Sequence, residues 1–257
     1  MIRVNMLGPA EFWYQDQLLA LRPLEKQMHI VLWLAGGTLS QPALAEEIWR
    51  VPSPGSANTI RSCLSKSRKQ VVAIGGTTAD LSRTIRLSGA RTHVQLRGSW
   101  DTDVDRFRSD VEQAREAYAG HHLEKSRALS AAALDLWHDN PLPDAGDGPL
   151  AKRIREDLYD SHWSVTLTRI KTTVSLGGHR EVTAELRRLL KDRPSEGTIP
   201  MLLATVLYRG DRILEAAKVC ERAISAREGQ GIEARRLQEL QRAILNEAAA
   251  LDGPLGW

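Results

Sequence analysis

The chain lacks most of what would mark a secreted, metal-bound, membrane or catalytic protein. Only two cysteines, Cys63 and Cys220, occur in 257 residues. They stand far apart without Cys-x-x-Cys spacing, so neither a disulfide framework nor a thiolate metal site has enough ligands. The longest nearly pure apolar run, Ile30 to Ala35, is far too short for a signal core or a membrane span. His121 and His122 are adjacent rather than three or four apart, and no His, Cys or carboxylate group repeats at ligand spacing, so no metal is expected. Gly-x-Gly-x-x-Gly, Gly-x-x-x-x-Gly-Lys-[Ser/Thr] and Gly-x-Ser-x-Gly are all missing. With no phosphate-cradling loop and no nucleophile elbow, the chain offers no catalytic residue and calls for no cofactor. These absences predict a protein of the reducing cytoplasm, without membrane attachment and without enzymatic activity.

What is present is an ordinary globular composition, 42% apolar and 26% charged, on a chain longer than one typical domain. Two domains are expected, and charge separates them. Residues 1–98 hold 12 Lys and Arg against 6 Asp and Glu, whereas residues 99–257 hold 23 against 26. Positive charge gathered in one segment is the footprint of a polyanion-binding module, because neutralising phosphates releases condensed counterions. A solvated basic surface would look the same by composition.

The opening reads as short strands: Ile2, Val4 and Met6, then Phe12 to Tyr14, then Leu18 to Leu21, separated by the turn signals Gly8-Pro9 and Gln15-Asp16. After Pro23, Leu24, Met28, Val31, Leu32 and Ala35 recur at helical spacing until Gly36-Gly37. A second helix begins with Ser40 as N-cap and Pro42 in the first turn, buries Leu44 and Ile48, and ends before Pro52 and Pro54. An exposed, proline-stiffened connector follows. A third helix spans roughly Asn58 to Val72, and a hairpin of Ile85 to Leu87 with Thr92 to Leu96 closes the segment. Strands, three helices and a basic hairpin in this order describe a winged helix-turn-helix.

The third helix has two chemical faces. Ile60, Leu64 and Val71 fall on one side and face a core, while Arg61, Ser62, Ser65, Lys66, Arg68 and Lys69 occupy the other. A recognition helix needs donors that reach guanine edges or phosphates, held by an apolar back. Arg61, Ser65 and Arg68 share one line and are expected to read bases; Lys66 and Lys69 are expected to touch phosphates, with Asn58, Thr59 and Ser62 alongside. Arg86 and Arg91 flank the wing turn, where an arginine enters the minor groove or clasps a phosphate. The connector, with Trp49, Arg50, Val51, Ser53 and Ser56, is placed to present a surface to RNA polymerase. A solvated basic helix, a charged hairpin and a plain connector are the unremarkable alternatives.

Beyond residues 98–103 the chain becomes nearly continuous helix, with hairpins at 104–119 and 123–137, 151–176 and 180–191, and 198–209 and 214–226, and a last helix from Ile232 to Ala249. Tyr208, Gly210, Ala216 and Ala223 in the stretch Leu203 to Ile224 resemble a tetratricopeptide repeat, in which small residues let helices pack around a tight turn. Trp137 and Trp163, like Trp33 earlier, fall within helical apolar patterns and are read as core. The stretch from Pro141 to Pro149 reads as a long loop without structure of its own. The expected fold is mainly α with a small β component: a winged helix over 1–98, then an all-α, tetratricopeptide-like domain over 103–257.

Four stretches together resemble the Streptomyces antibiotic regulatory protein family, in its short form, over essentially the whole length. They are Val4-Asn5-Met6-Leu7-Gly8-Pro9; Asn58-Thr59-Ile60-Arg61-Ser62 continuing Ser65-Lys66-Ser67-Arg68-Lys69; Asp103-Val104-Asp105-Arg106-Phe107; and Leu136-Trp137 leading to Pro141-Leu142-Pro143-Asp144. The last two resemble the family's bacterial transcriptional activation domain. The resemblance implies an OmpR-type DNA-binding fold, tandem direct repeats as the target, and activation of secondary-metabolite genes by recruitment of RNA polymerase through its sigma factor and other subunits. A homodimer on promoter DNA, with its protomers head to tail on adjacent repeats, is the expectation built on that target. The nucleotide-binding and sensor regions of longer members fall outside the resemblance, so control is expected from expression level, partners or an unrecognised ligand. The chain departs from the family pattern at Cys63 and Ser67, where an aromatic and a leucine are usual, and at Thr92-His93, where the wing usually has Gly-Tyr. Those departures define the rival reading: a protein-interaction adaptor whose degenerate winged helix no longer reads DNA.

Overall fold

The computed structural model describes residues 1–77, 81–86, 92–194, 196–229 and 234–246, with 83–86 described by their backbone alone. The chain starts as a strand, β1 (Ile2–Asn5), whose alternate residues Ile2 and Val4 are fully buried. It pairs antiparallel with β2 (Glu11–Tyr14), which pairs in turn with β3 (Gln17–Leu18). Pro23 fits the first turn of a helix, where its missing amide has no intrahelical partner to lose. There α1 (Pro23–Leu34) begins, and its Glu25 carboxylate accepts the Arg22 amide at 3.1 Å. Gly36 and Gly37 leave the helix at φ +75° and +91°, a region that favours glycine. A short strand β4 (Thr38–Ser40) follows. Ser40 then caps α2 (Gln41–Trp49), its hydroxyl accepting the Ala43 amide at 3.3 Å.

Next comes α3 (Ser56–Ala73), then a hairpin of β5 (Ser82–Arg86) and β6 (Thr92–Leu96) that takes β4 as its third strand. A last strand, β7 (Trp100–Thr102), lies parallel to β1 with Ile2 opposite Trp100, and completes a sheet of order β3-β2-β1-β7. The expected winged helix is therefore present, with β4 and β7 added. Both strands are three residues long, too short to show an alternating pattern, and the parallel partner of β7 lies at the other end of the segment. Helix α1 is apolar on two sides. Ile30 joins the core beneath the first sheet, whereas Met28, Val31 and Leu32 meet Leu44, Ile60, Leu64 and Val94 in a second cluster.

Among the described residues seven helices follow: α4 (Asp103–Ala119), α5 (Leu123–Asp135), α6 (Pro149–Ser175), α7 (His179–Asp192), α8 (Thr198–Arg209), α9 (Ile213–Glu228) and α10 (Arg235–Leu245). The expected ends of the last helix, Ile232 and Ala249, lie outside the described residues. Among the described residues, no helix is long and apolar enough to cross a membrane.

Spatial proximity divides the chain into two compact units: Met1–Glu112 with Ala131–Val165, and Gln113–Ser130 with the described residues from Thr166 onward. In the first, the family motifs become stitching. Asp103 accepts the amides of Met6 and Leu7, while Val104 and Phe107 enter the core under the sheet. The stretch expected to lack structure instead forms a single 3-10 turn at Pro143–Ala145, secured to the loop after β1. Leu142 donates its amide to Met6 O at 2.7 Å, His138 to Leu7 O at 2.8 Å, and Asp144 accepts the Ala10 amide at 2.7 Å. The Arg155 guanidinium ties down the carbonyls of Pro141, Leu142 and Gly146 at 3.0–3.2 Å. Proline and glycine removed the periodic signal, and partners more than 130 positions away supply the order.

In the second unit, α7 packs on α8, α8 on α9 and α9 on α10. Ala216 and Cys220 of α9 are buried, as are Leu202, Leu203, Val206 and Leu207 of α8 and Leu237, Leu240 and Ile244 of α10. The α8–α9 turn closes at Gly210 and Asp211, with the Arg212 amide donating to Leu207 O at 2.9 Å. This is the tight, small-residue turn expected of a tetratricopeptide-like hairpin.

Candidate nucleic-acid interface

Helix α3 presents its two faces as its periodicity predicts. Ile60, Leu64 and Val71 are fully buried, while Asn58, Thr59, Arg61, Ser62, Ser65, Lys66 and Lys69 are exposed. Arg68 is half-buried and its Nε donates to the Leu64 carbonyl at 3.1 Å, so part of its guanidinium is engaged with its own helix. Among the described residues, no ion pair is recorded for Arg61, Lys66, Arg68 or Lys69. The outward line of α3 thus carries uncompensated positive charge.

The departures at the back of α3 are accommodated inside it. Cys63 joins the second core cluster, and burial, with a contribution from the nearby Glu25 carboxylate, pushes its thiol up. Ser67 is fully buried and donates to the Cys63 carbonyl at 3.0 Å, a bond to the preceding turn that leaves no orphan hydroxyl. Gln41, the first residue of α2, donates from its side chain to Ala57 O at 2.8 Å and so fixes the first turn of α3. Nothing in the sequence around Gln41 marks it, because a polar residue next to a helix N-cap carries no distinctive signal.

In the wing, Arg86 is placed by its backbone opposite Thr92, the last pair of β5 and β6 before the residues that join them, and its side chain lies outside the described residues. Residues 87–91, which include Arg91 and the expected strand end Leu87, lie outside them as well.

The connector between α2 and α3 is only partly the exposed loop that was expected. Val51 is 84% exposed and Arg50 and Ser53 are exposed, but Trp49 packs against the second core. Ser56 corrects the expectation outright. It is the first residue of α3, only 6% exposed, and its hydroxyl accepts the Ser53 amide at 2.9 Å, so it shapes the loop from beneath. Arg50 leaves α2 at φ +55°, and its guanidinium donates to Asp147 O at 3.5 Å. Glu47 accepts the Leu150 amide at 3.2 Å. The end of α2 and the start of the connector are therefore anchored to the backbone of Asp147 and Leu150.

Residues 102–245 match the bacterial transcriptional activator domain family. Regulatory protein DnrI of Streptomyces peucetius is 28% identical over 263 aligned residues, covering 98% of this chain and 94% of DnrI. The solved structure of Mycobacterium tuberculosis EmbR in complex with a low-affinity phosphopeptide is similar with a TM-score of 0.80 at 20% identity, over 99% of this chain. This chain spans 66% of the length of that solved chain, and a likeness at that identity speaks for the fold alone. The shared architecture is a winged helix joined to tetratricopeptide-like helices, the family matched by its sequence covers more than half the chain, and the protein therefore belongs to the bacterial transcriptional activator domain family, as a regulator of the Streptomyces antibiotic regulatory protein type.

Proposed function

We propose that the protein is a sequence-specific DNA-binding activator of secondary-metabolite (antibiotic) biosynthesis genes, which binds tandem direct repeats in promoters and recruits RNA polymerase. Residues 1–98 form its DNA-binding module and residues 103–257 its activation module, and two protomers sit head to tail on adjacent repeats at the nucleoid. The observation that carries this reading is the outward face of α3, where Arg61, Ser65, Lys66 and Lys69 stand exposed over an apolar back. Arg61, Ser65 and the free edge of Arg68 read bases, Lys66 and Lys69 hold phosphates, and Asn58, Thr59 and Ser62 extend the contact. Arg86 and Arg91 serve the adjacent groove. Arg50, Val51 and Ser53, with Trp49 and Ser56 as supports, form the surface offered to the sigma factor and other polymerase subunits.

The adaptor reading rests on Ser67 and on the altered wing at Thr92-His93; of these, the Ser67 hydroxyl is satisfied within α3 by the Cys63 carbonyl. Selection from a random-sequence duplex library decides between the two readings. A DNA reader enriches a motif repeated in direct orientation, and an adaptor enriches none. Transcription in vitro from a promoter bearing that motif, with and without the protein, tests activation.

A further inference from the structure

Beside α3 lies a cleft of about 460 Å³ whose α3 side holds residues already given to DNA and whose α1 side the contacts above leave unused. It opens between the start of α1 and the first half of α3. Leu24 and Cys63 form its floor, Arg22 stands on the α1 side, and Ser62 and Lys66 stand on the α3 side. Arg22 and Lys66 are both exposed, and among the described residues no carboxylate lies within ion-pair distance of either. The one acid in the lining, Glu25, is 1% exposed, and its Oε2 is held by the Arg22 amide. Both cations act on the Cys63 thiol, opposing the upward push of its burial and of Glu25, so the two helices direct positive charge at one place.

We propose that this cleft seats a phosphodiester of the DNA backbone, with Arg22 on one side and Lys66 on the other. The inference rests on the reading that α3 enters the major groove. That groove is about 12 Å wide and a helix with side chains about 10–12 Å across, so phosphates line the flanks of an inserted helix. The row Ser62, Lys66, Lys69 lies about 100° round the helix from the base-reading row Arg61, Ser65, Arg68 and therefore turns toward one wall of the groove. Arg22 stands on that flank. The backbone that carries it is preset, because a residue before proline is confined to extended backbone, and Arg22 has φ −74° and ψ 158°, which fixes the direction of its Cα–Cβ bond.

The test is a salt titration by fluorescence anisotropy of the full chain on two duplexes, the selected motif and a scramble of it. Arg22→Gln is expected to weaken both by the same factor and to lower the slope of log K against log salt by about one. Arg22→Lys keeps the parent slope. Arg22→Ala, which retains the backbone amide that Glu25 binds, should repeat the glutamine result, and unchanged thermal midpoints exclude a folding cause. A parent slope in both Arg22→Gln and Arg22→Ala overturns the seat while leaving the DNA reading intact, and so does a changed base preference. A parent protein that binds neither duplex at low salt overturns both the seat and the reading beneath it.

Discussion

Asp103 and Met6 stand 97 positions apart in the chain, and both carboxylate oxygens of the first accept the backbone amide of the second, at 2.8 and 2.7 Å. The same carboxylate takes the Leu7 amide at 2.8 Å. It is 3% exposed, and burial pushes its pKa up while the amides of Leu7, Met6 and Val104 pull it back. The start of α4 is thereby bolted to the end of β1.

Asp103→Ala removes that acceptor and leaves the buried amides of Met6 and Leu7 unpaired, along with the Val104 amide at the start of α4. Each unsatisfied buried donor costs about 1–3 kcal/mol, so the variant is expected to lose on the order of 3 kcal/mol. Urea unfolding followed by tryptophan fluorescence checks it; a midpoint equal to the parent's would show that the amides find other partners.

His29 gives a pH signature. It is fully buried, its Nδ1 lies 2.6 Å from Glu25 O and its Nε2 3.2 Å from the Ser82 hydroxyl, and burial lowers its pKa from 6.5 to about 4. The carbonyl at Nδ1 requires a proton there, so the neutral ring donates to Glu25 O and accepts from Ser82. Because the folded pKa is depressed, the unfolded chain takes up a proton first as pH falls. This contribution is complete above pH 6.5 and is lost between pH 6.5 and about 4, amounting to about 3 kcal/mol. Unfolding free energies of the parent and of His29→Gln, measured at pH 7.5, 6 and 5, should converge as pH falls; parallel curves would contradict a depressed pKa.

On DNA, Arg61→Ala should weaken binding to the selected motif by about 1–3 kcal/mol and relax preference at one base pair. Lys69→Ala should instead weaken all sequences alike and reduce the salt slope by about one unit. Electrophoretic shifts on motif and scrambled duplexes separate the two. Identical behaviour of both variants would remove the division of labour between the two rows of α3.

Gly148→Ala tests the anchor beneath the connector. A Cβ at residue 148 would collide with the Glu47 carboxylate and lie 2.5 Å from the Glu47 carbonyl oxygen, which is backbone and has little room to yield. Overpacking of this kind costs about 1–3 kcal/mol. DNA affinity should survive while activated transcription in vitro falls, because α3 is untouched but the connector is displaced. Loss of both together would mean that the α2 end and α3 move as one piece.

The two faces of α3 were legible because a period of 3.6 residues separates Ile60, Leu64 and Val71 from the cations between them. The second helix was legible too, through Ser40 and Pro42, which carry local signals of a helix start. What escaped reading depends on distant partners. Asp103 looks like any acid at a helix N-terminus, and nothing near it in sequence names Met6. Ser56 looks like a loop residue until its hydroxyl is seen under the Ser53 amide. Arg22 went unremarked because Pro23 beside it already explained the start of α1.

The parallel pairing of β1 with β7 also bears on how the protein is made. The ribosome releases β1 first, yet its neighbour comes about a hundred residues later, and Asp144, which takes the Ala10 amide, comes 134 positions after that alanine. A nascent chain halted before that point holds an uncovered apolar sheet with unanswered amides, and contacts between such remote positions close slowly. Chaperone demand during synthesis should therefore peak before Asp144 emerges and fall once it has.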